Sequence, residues 1–120
     1  MEFVNVTGHH ITLDSRNGSR FVLAPAGTVA RIMNSRPVVR YLDDWPVRYI
    51  EEGTILGLPT PVKDRYFIAS NIVSRLATAR GRHDVLSPDV SQASVVRDRY
   101  KNIKSVGGLV SFSPQVGGDL

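Results

Sequence analysis

The chain reads as an α+β domain, a small antiparallel β-sheet with one principal helix packed on it. Three observations lead there. The first 68 residues break into short β-rich runs divided by Gly, Pro and Asn turns. A single helical period follows near residue 70, with a serine ahead of it and a glycine behind it. Strand-like runs then resume to residue 112. At 120 residues the chain is sized for one hydrophobic core. We expect one ligand-binding domain over residues 1–112 and a flexible Pro/Gly-rich tail over 113–120.

Residues 3–6 alternate weakly and residues 11–13 follow as a second strand. Asp14-Ser15-Arg16-Asn17-Gly18 is a hairpin turn, because Asn-Gly supplies the positive φ such turns need. Residues 20–24 return. Pro25-Ala26-Gly27 turns again into an alternating strand over 28–33. Residues 38–42 and 47–50 are β-rich, with Pro37 and Pro46 pushing them toward edges or breaks. Residues 53–58 and 65–69 are two more strands around the Pro59-Thr60-Pro61 loop, and Glu51-Glu52 reads as a solvated turn. Ser70 is placed to cap a helix whose inward face is Ile72, Val73, Leu76 and Ala77 and whose end is Gly81. Asn71, Ser74, Arg75 and Thr78 then fall toward its polar side. Residues 83–86, a loop over 87–94, residues 95–98 and a final hairpin through 99–102 into 109–112 complete the order.

Composition narrows the function classes. There is no cysteine, so disulfides, thiolate metal sites and a Cys nucleophile are out. No apolar run reaches the ~18 residues that span a bilayer, and the opening MEFVNVTGHH is not a signal peptide. We expect a soluble chain without membrane contact. The net charge of +4 permits nucleic acid without calling for it. There is no Gly-x-Ser-x-Gly elbow, P-loop or His-Glu-x-x-His spacing, and adjacent His9 and His10 point apart on a strand. Binding without chemistry and without a cofactor or metal is therefore expected over an enzyme.

The arginines carry the binding argument. Twelve of the fifteen basic residues are arginine, the planar fork that matches phosphate or carboxylate. Arg75, Arg80, Arg82, Arg97 and Arg99 cluster in sequence, with Arg31 upstream. Ser70 and Asn71 sit at a helix start, whose unpaired N–H groups favour an anion; equally, Ser70 simply caps its own helix. Arg80 and Arg82 flank Gly81, which lets both converge on one phosphate; equally, both are solvated cations at a helix C-terminus, with Asp84 pairing Arg82. Asp98 is placed to orient Arg97. Tyr66 alternates with Phe67, so one of the two faces away from the core and offers a stacking surface.

Four stretches in order carry a family resemblance. They are Asn5-Val6-Thr7-Gly8-His9, Pro25-Ala26-Gly27-Thr28-Val29-Ala30-Arg31, Gly57-Leu58-Pro59, and Tyr66-Phe67-Ile68-Ala69-Ser70-Asn71-Ile72-Val73 followed by Arg80-Gly81-Arg82-His83-Asp84-Val85 and Pro88. The chain resembles, over residues 3 to about 112, the small phage proteins of the first-described Thoeris anti-defence family. It departs from their pattern in the 87–94 loop and at Phe67-Ile68-Ala69. The resemblance implies a sponge. Such a protein sequesters cyclic ADP-ribose-type signals, and in some members cyclic oligonucleotides, without degrading them, so blunting Thoeris- or CBASS-type immunity in the cytoplasm of the infected bacterial host. It also implies a homo-oligomer, a dimer or a multiple of dimers, with pockets at protomer contacts. The residues it carries over are Arg31, Asn71, Arg80, Arg82 and Arg97. With Tyr66, Ser70 and Arg75 these form the expected ligand set. The alternatives are a nucleic-acid-binding protein and a phage structural accessory protein.

Overall fold

The computed structural model describes residues 1–33, 38–49 and 53–115. The expected strand end at Ile50, the Glu51-Glu52 turn, the break at Pro37 and tail residues 116–120 lie outside them. Twelve strands and one helix follow in order: β1 (Glu2–Asn5), β2 (Ile11–Asp14), β3 (Arg20–Leu23), β4 (Arg31–Met33), β5 (Val38–Leu42), β6 (Trp45–Tyr49), β7 (Thr54–Leu56), β8 (Arg65–Ile68), α1 (Asn71–Ala79), β9 (Val85–Pro88), β10 (Val95–Arg97), β11 (Ile103–Val106) and β12 (Leu109–Ser111). The α+β class stands: mostly strands, in several sheets, with one helix.

The sheet that carries the helix is mixed rather than antiparallel. Its order is β1-β8-β9-β12, with β1, β8 and β9 parallel and β12 antiparallel to β9. The physical reason is the crossover. Parallel neighbours cannot be joined by a tight turn, and α1 supplies the connection from β8 to β9. β1 reaches β8 from across the chain, with Glu2 opposite Arg65 and Asn5 opposite Ile68. A second sheet, β10-β11-β2-β3, holds the expected β2–β3 hairpin, with Gly18 at φ 87° in its turn. Here the 99–102 turn joins β10 to β11, whereas β12 leaves for the helix-bearing sheet. Two ribbons, β4–β7 and β5–β6, complete the fold.

The core is a cluster of Val6, Ala30, Phe67, Ala69, Val73, Ala77 and Val85, with Val4, Ile32, Ile55 and Leu58 packed against it. Ser70 caps α1 through its hydroxyl, which accepts from the Val73 N–H at 3.3 Å, and Gly81 ends the helix at φ 92°. The inward face differs from the expected one. Val73 and Ala77 are buried, but Ile72 is 69 % exposed and Leu76 only half-buried. Ser74, expected on the polar side, is fully buried, and Thr78 is half-buried. α1 packs chiefly on β9, and small residues on that face let the two backbones approach. Gly57 is another close approach. It sits at φ 78°, and a Cβ there would lie 2.5 Å from the Val29 carbonyl oxygen.

Candidate functional site

Three parallel strands end together. β1 runs out through Val6 into Thr7, β8 through Ala69 into Ser70, and β9 at Pro88. In sheets of this kind ligands bind in the crevice outside the carboxyl ends of the strands. A cavity of about 430 Å³ opens at that place. One wall is the β1–β2 connection, with Thr7, His9 and His10; another is β11, with Ile103, Lys104 and Ser105. Ala69, Ser70 and Pro88 come from the parallel strand ends.

The β1–β2 wall is held by one buried amide. Asn5 is 2 % exposed. Its Nδ2 donates to the His9 carbonyl at 2.7 Å and to the Leu23 carbonyl at 2.9 Å. Its Oδ1 accepts from the Thr7 N–H at 2.9 Å and the Thr7 hydroxyl at 2.6 Å. Four hydrogen bonds on one side chain fix a turn of irregular backbone and set the place of His9.

The electrostatics favour an anion. Lys104, His9 and His10 line the cavity, and its lining includes no carboxylate. The start of α1 faces it through Ser70, and no acidic residue occupies the first helical turn. Ser70 takes the Val73 N–H, leaving those of Asn71 and Ile72 without an intrahelical acceptor at the positive end of the helix dipole. Isoleucine, valine and proline complete the lining and supply an apolar bed for a ring. Nearby, Asp14 is drawn below its ordinary pKa of 3.8, chiefly by its hydrogen bond with Arg20, whose Nε lies 2.7 Å from Oδ1. Lys104 adds a smaller charge effect in the same direction.

Of the residues expected from the sequence, only Ser70 lines this cavity. Tyr66 and Arg82 border a second hollow at the other end of the parallel strands, together with Gly81, His83, Asp84 and Asp64. Arg82 is paired there: Nε and Nη2 grip the Asp84 carboxylate at 2.8 and 2.9 Å, and Nη2 also donates to the Pro59 carbonyl. Arg80 donates to the Gly53 carbonyl instead of joining Arg82. Two carboxylates and a helix C-terminus make this end the less favourable one for an anion. Arg75 donates to the Asn71 side chain at 3.2 Å and lies 4.8 Å over the Phe112 ring. Arg97 donates to the Lys101 carbonyl, while Asp98 caps the adjacent turn rather than orienting Arg97. Arg31 is exposed at the start of β4. Within one protomer Arg75, Arg80, Arg82 and Arg97 each donate to a different partner.

The sequence reading left Thr7, His9, His10 and Lys104 out of the expected ligand set; it set His9 and His10 on opposite faces of a strand, whereas both lie between β1 and β2 and line this cavity. Lys104 reaches the cavity because β11 pairs in parallel with β2 through Val106 and Leu13, a pairing that no local pattern announces. A histidine contact also went unread: exposed His83 places Nδ1 2.7 Å from the hydroxyl of buried Ser113. Among the described residues no helix is long and apolar enough to cross a membrane. The chain matches no protein-family model, no curated protein and no solved structure.

Proposed function

We propose that this protein binds a small cyclic nucleotide signal and retains it unchanged, acting as a phage-encoded sponge in the cytoplasm of an infected bacterium. The observation that carries the reading is the cavity at the carboxyl ends of the parallel strands, facing a helix N-terminus, with Lys104, His9 and His10 and no carboxylate in its lining. Its volume of about 430 Å³ suits one nucleotide-sized ligand. Phosphate goes to the helix start and Lys104, and a base or ribose to the apolar wall. Sequestration asks for tight binding alone: a nanomolar Kd is about −12 kcal/mol, within reach of charge-assisted bonds to phosphate.

The test is depletion and release. Purified protein is mixed with cyclic ADP-ribose isomers and cyclic di- and trinucleotides, filtered, and the retained material heat-denatured and analysed by mass spectrometry. A ligand that leaves the filtrate and returns intact supports the sponge and names the signal. A ligand that returns altered makes the protein an enzyme. No depletion of any of these compounds refutes the reading and turns attention to the nucleic-acid or structural-accessory alternatives.

A further inference from the structure

We propose that the β10–β11 hairpin binds single-stranded nucleic acid, holding phosphates with its arginines and lysines and an unpaired base with Tyr100. Arg97, Arg99, Tyr100 and Lys101 stand outside the cavity lining, so the inference is independent of what fills the cavity.

Charge collects on this hairpin. Residues 97–104 read Arg-Asp-Arg-Tyr-Lys-Asn-Ile-Lys, four cations and one carboxylate. Three of the chain's four net positive charges therefore sit in one short stretch, and every residue of it is exposed. Elsewhere a carboxylate answers the arginine: Asp14 grips Arg20, and Asp84 grips Arg82. Here the carboxylate goes to the backbone. Asp98 Oδ1 accepts from the Tyr100 N–H at 2.8 Å and from the Asn102 N–H at 3.0 Å. Arg97 gives one nitrogen, Nη1, to the Lys101 carbonyl. A row of cations without matching anions concentrates the field that draws phosphate.

The turn that presents them is pinned. The Asp98 N–H donates to the Asn102 carbonyl at 2.9 Å and the Lys101 N–H to the Asp98 carbonyl at 3.0 Å, while Lys101 takes a left-handed φ of 65°. The register shifts just below it. Val96 faces Ser105 and Arg97 faces Ile103, so Lys104 is the extra residue of a β-bulge, a device that bends a ribbon and re-aims its side chains. A turn already fixed by Asp98 and backbone has little left to order when a ligand arrives.

Tyr100 selects the kind of polyanion. The Arg99 guanidinium lies 4.8 Å over its ring, and the residue is still 69 % exposed, so the rest of the ring is open to a flat partner. A duplex keeps its bases stacked on one another, whereas an unpaired base can stack on a tyrosine ring or a guanidinium plane. A phospholipid surface or an acidic peptide meets the cations but brings no base to the ring. Phosphate and unpaired base together describe a single strand, of RNA or DNA.

Fluorescence anisotropy of labelled oligothymidylate and oligouridylate, each of about twelve nucleotides, titrated with the full chain between about 50 and 200 mM KCl, tests this. Binding of either supports the proposal, and the tighter of the two tells DNA from RNA. The expected Kd is about 1–100 μM at the lower salt, weakening about 20- to 50-fold across the range, as three or four phosphate contacts require. Tyr100→Ala should weaken binding about 5-fold or more at an unchanged salt slope. Arg99→Gln combined with Lys101→Asn should shrink the salt effect to about 7-fold or less; asparagine suits the left-handed φ at 101. None of these side chains holds the turn, so circular dichroism stays the same. Arg16→Gln keeps wild-type binding. β2 runs into the turn that carries Arg16, while its parallel neighbour β11 runs out of the 99–102 turn, which sets the two at opposite ends of the sheet. No binding of either oligomer at about 200 μM protein overturns the proposal. So does equal affinity for a duplex of the same length or for phosphatidylserine vesicles, a Tyr100→Ala variant that binds as wild type, or an equal loss in Arg16→Gln. Should the variants unfold, ultraviolet crosslinking of a 5-iodouracil oligomer to wild type decides alone: an adduct on Tyr100 supports the proposal, and its absence there refutes it.

Discussion

Replacing Asn5 by alanine removes the single side chain that organises the wall carrying His9. The substitution deletes both donors, to the His9 and Leu23 carbonyls, and the acceptor of the Thr7 N–H. The Thr7 hydroxyl keeps an alternative, since it also donates to the His9 carbonyl at 3.1 Å. Three unreplaced bonds at about 1 kcal/mol each give a loss of about 3 kcal/mol. Against a total stability of roughly 5–15 kcal/mol that is a large fraction, and it lowers Tm by about 10 °C. Urea unfolding followed by circular dichroism reads it as a shift in midpoint at unchanged slope. Asn5→Asp is the sharper comparison. It keeps the shape and both acceptor contacts to Thr7, but sets a carboxylate oxygen against two carbonyls. It is expected to lose at least as much as alanine above about pH 5, and to recover part as the carboxyl protonates and donates again. A loss below about 1 kcal/mol for alanine, or an aspartate variant as stable as wild type at neutral pH, refutes the claim that this amide holds the wall.

Other outcomes follow from the same reasoning. Gly57→Ala combines a left-handed φ with a Cβ 2.5 Å from a carbonyl oxygen, and should cost about 2 kcal/mol or more by thermal melting. Lys104→Glu places a carboxylate in the cavity and should weaken retention of the cyclic nucleotide about 100-fold by equilibrium dialysis, whereas Arg97→Ala leaves it unchanged. Asp14→Asn tests linkage. A lowered native pKa contributes stability above the unfolded value of 3.8 and loses it as pH falls through the native value. The Tm advantage of wild type over Asp14→Asn should thus be constant from pH 5 to 7 and shrink as pH falls below 3.8, read by scanning calorimetry; an advantage that does not shrink there refutes it.

What the sequence disclosed was local. Ser70 and Gly81 bounded the helix, Asn17-Gly18 made the first hairpin, and Asp84 paired with Arg82, because each depends on residues a few positions apart. What it withheld was long-range. The parallel pairing of β1 with β8, and of β11 with β2, leaves no mark in periodicity, so both the mixed sheet and the cavity between its strand ends stayed hidden. The helix face was misjudged at Ile72 and Ser74 because hydrophobicity alone favours the larger side chain, while the packing against β9 favours the smaller. For Arg80 and Arg82 the sequence left convergence on one anion and separate roles equally open, because their partners, the carbonyls of Gly53 and Pro59, lie more than twenty residues away in the chain.

The β4–β7 ribbon has a consequence for how the β5–β6 hairpin joins the rest of the fold. Met33 and Thr54 are register partners, so the chain leaves the body and re-enters it at facing positions. Facing residues of an antiparallel pair lie about 5 Å apart, a gap that an Asn-Gly loop closes. No residue of β5 or β6 belongs to the core cluster. The paired residues of β5 and β6 can thus be exchanged with the hydrophobic interior left intact, whereas Gly53, whose carbonyl accepts from Arg80, ties the end of that segment to the helix-bearing sheet.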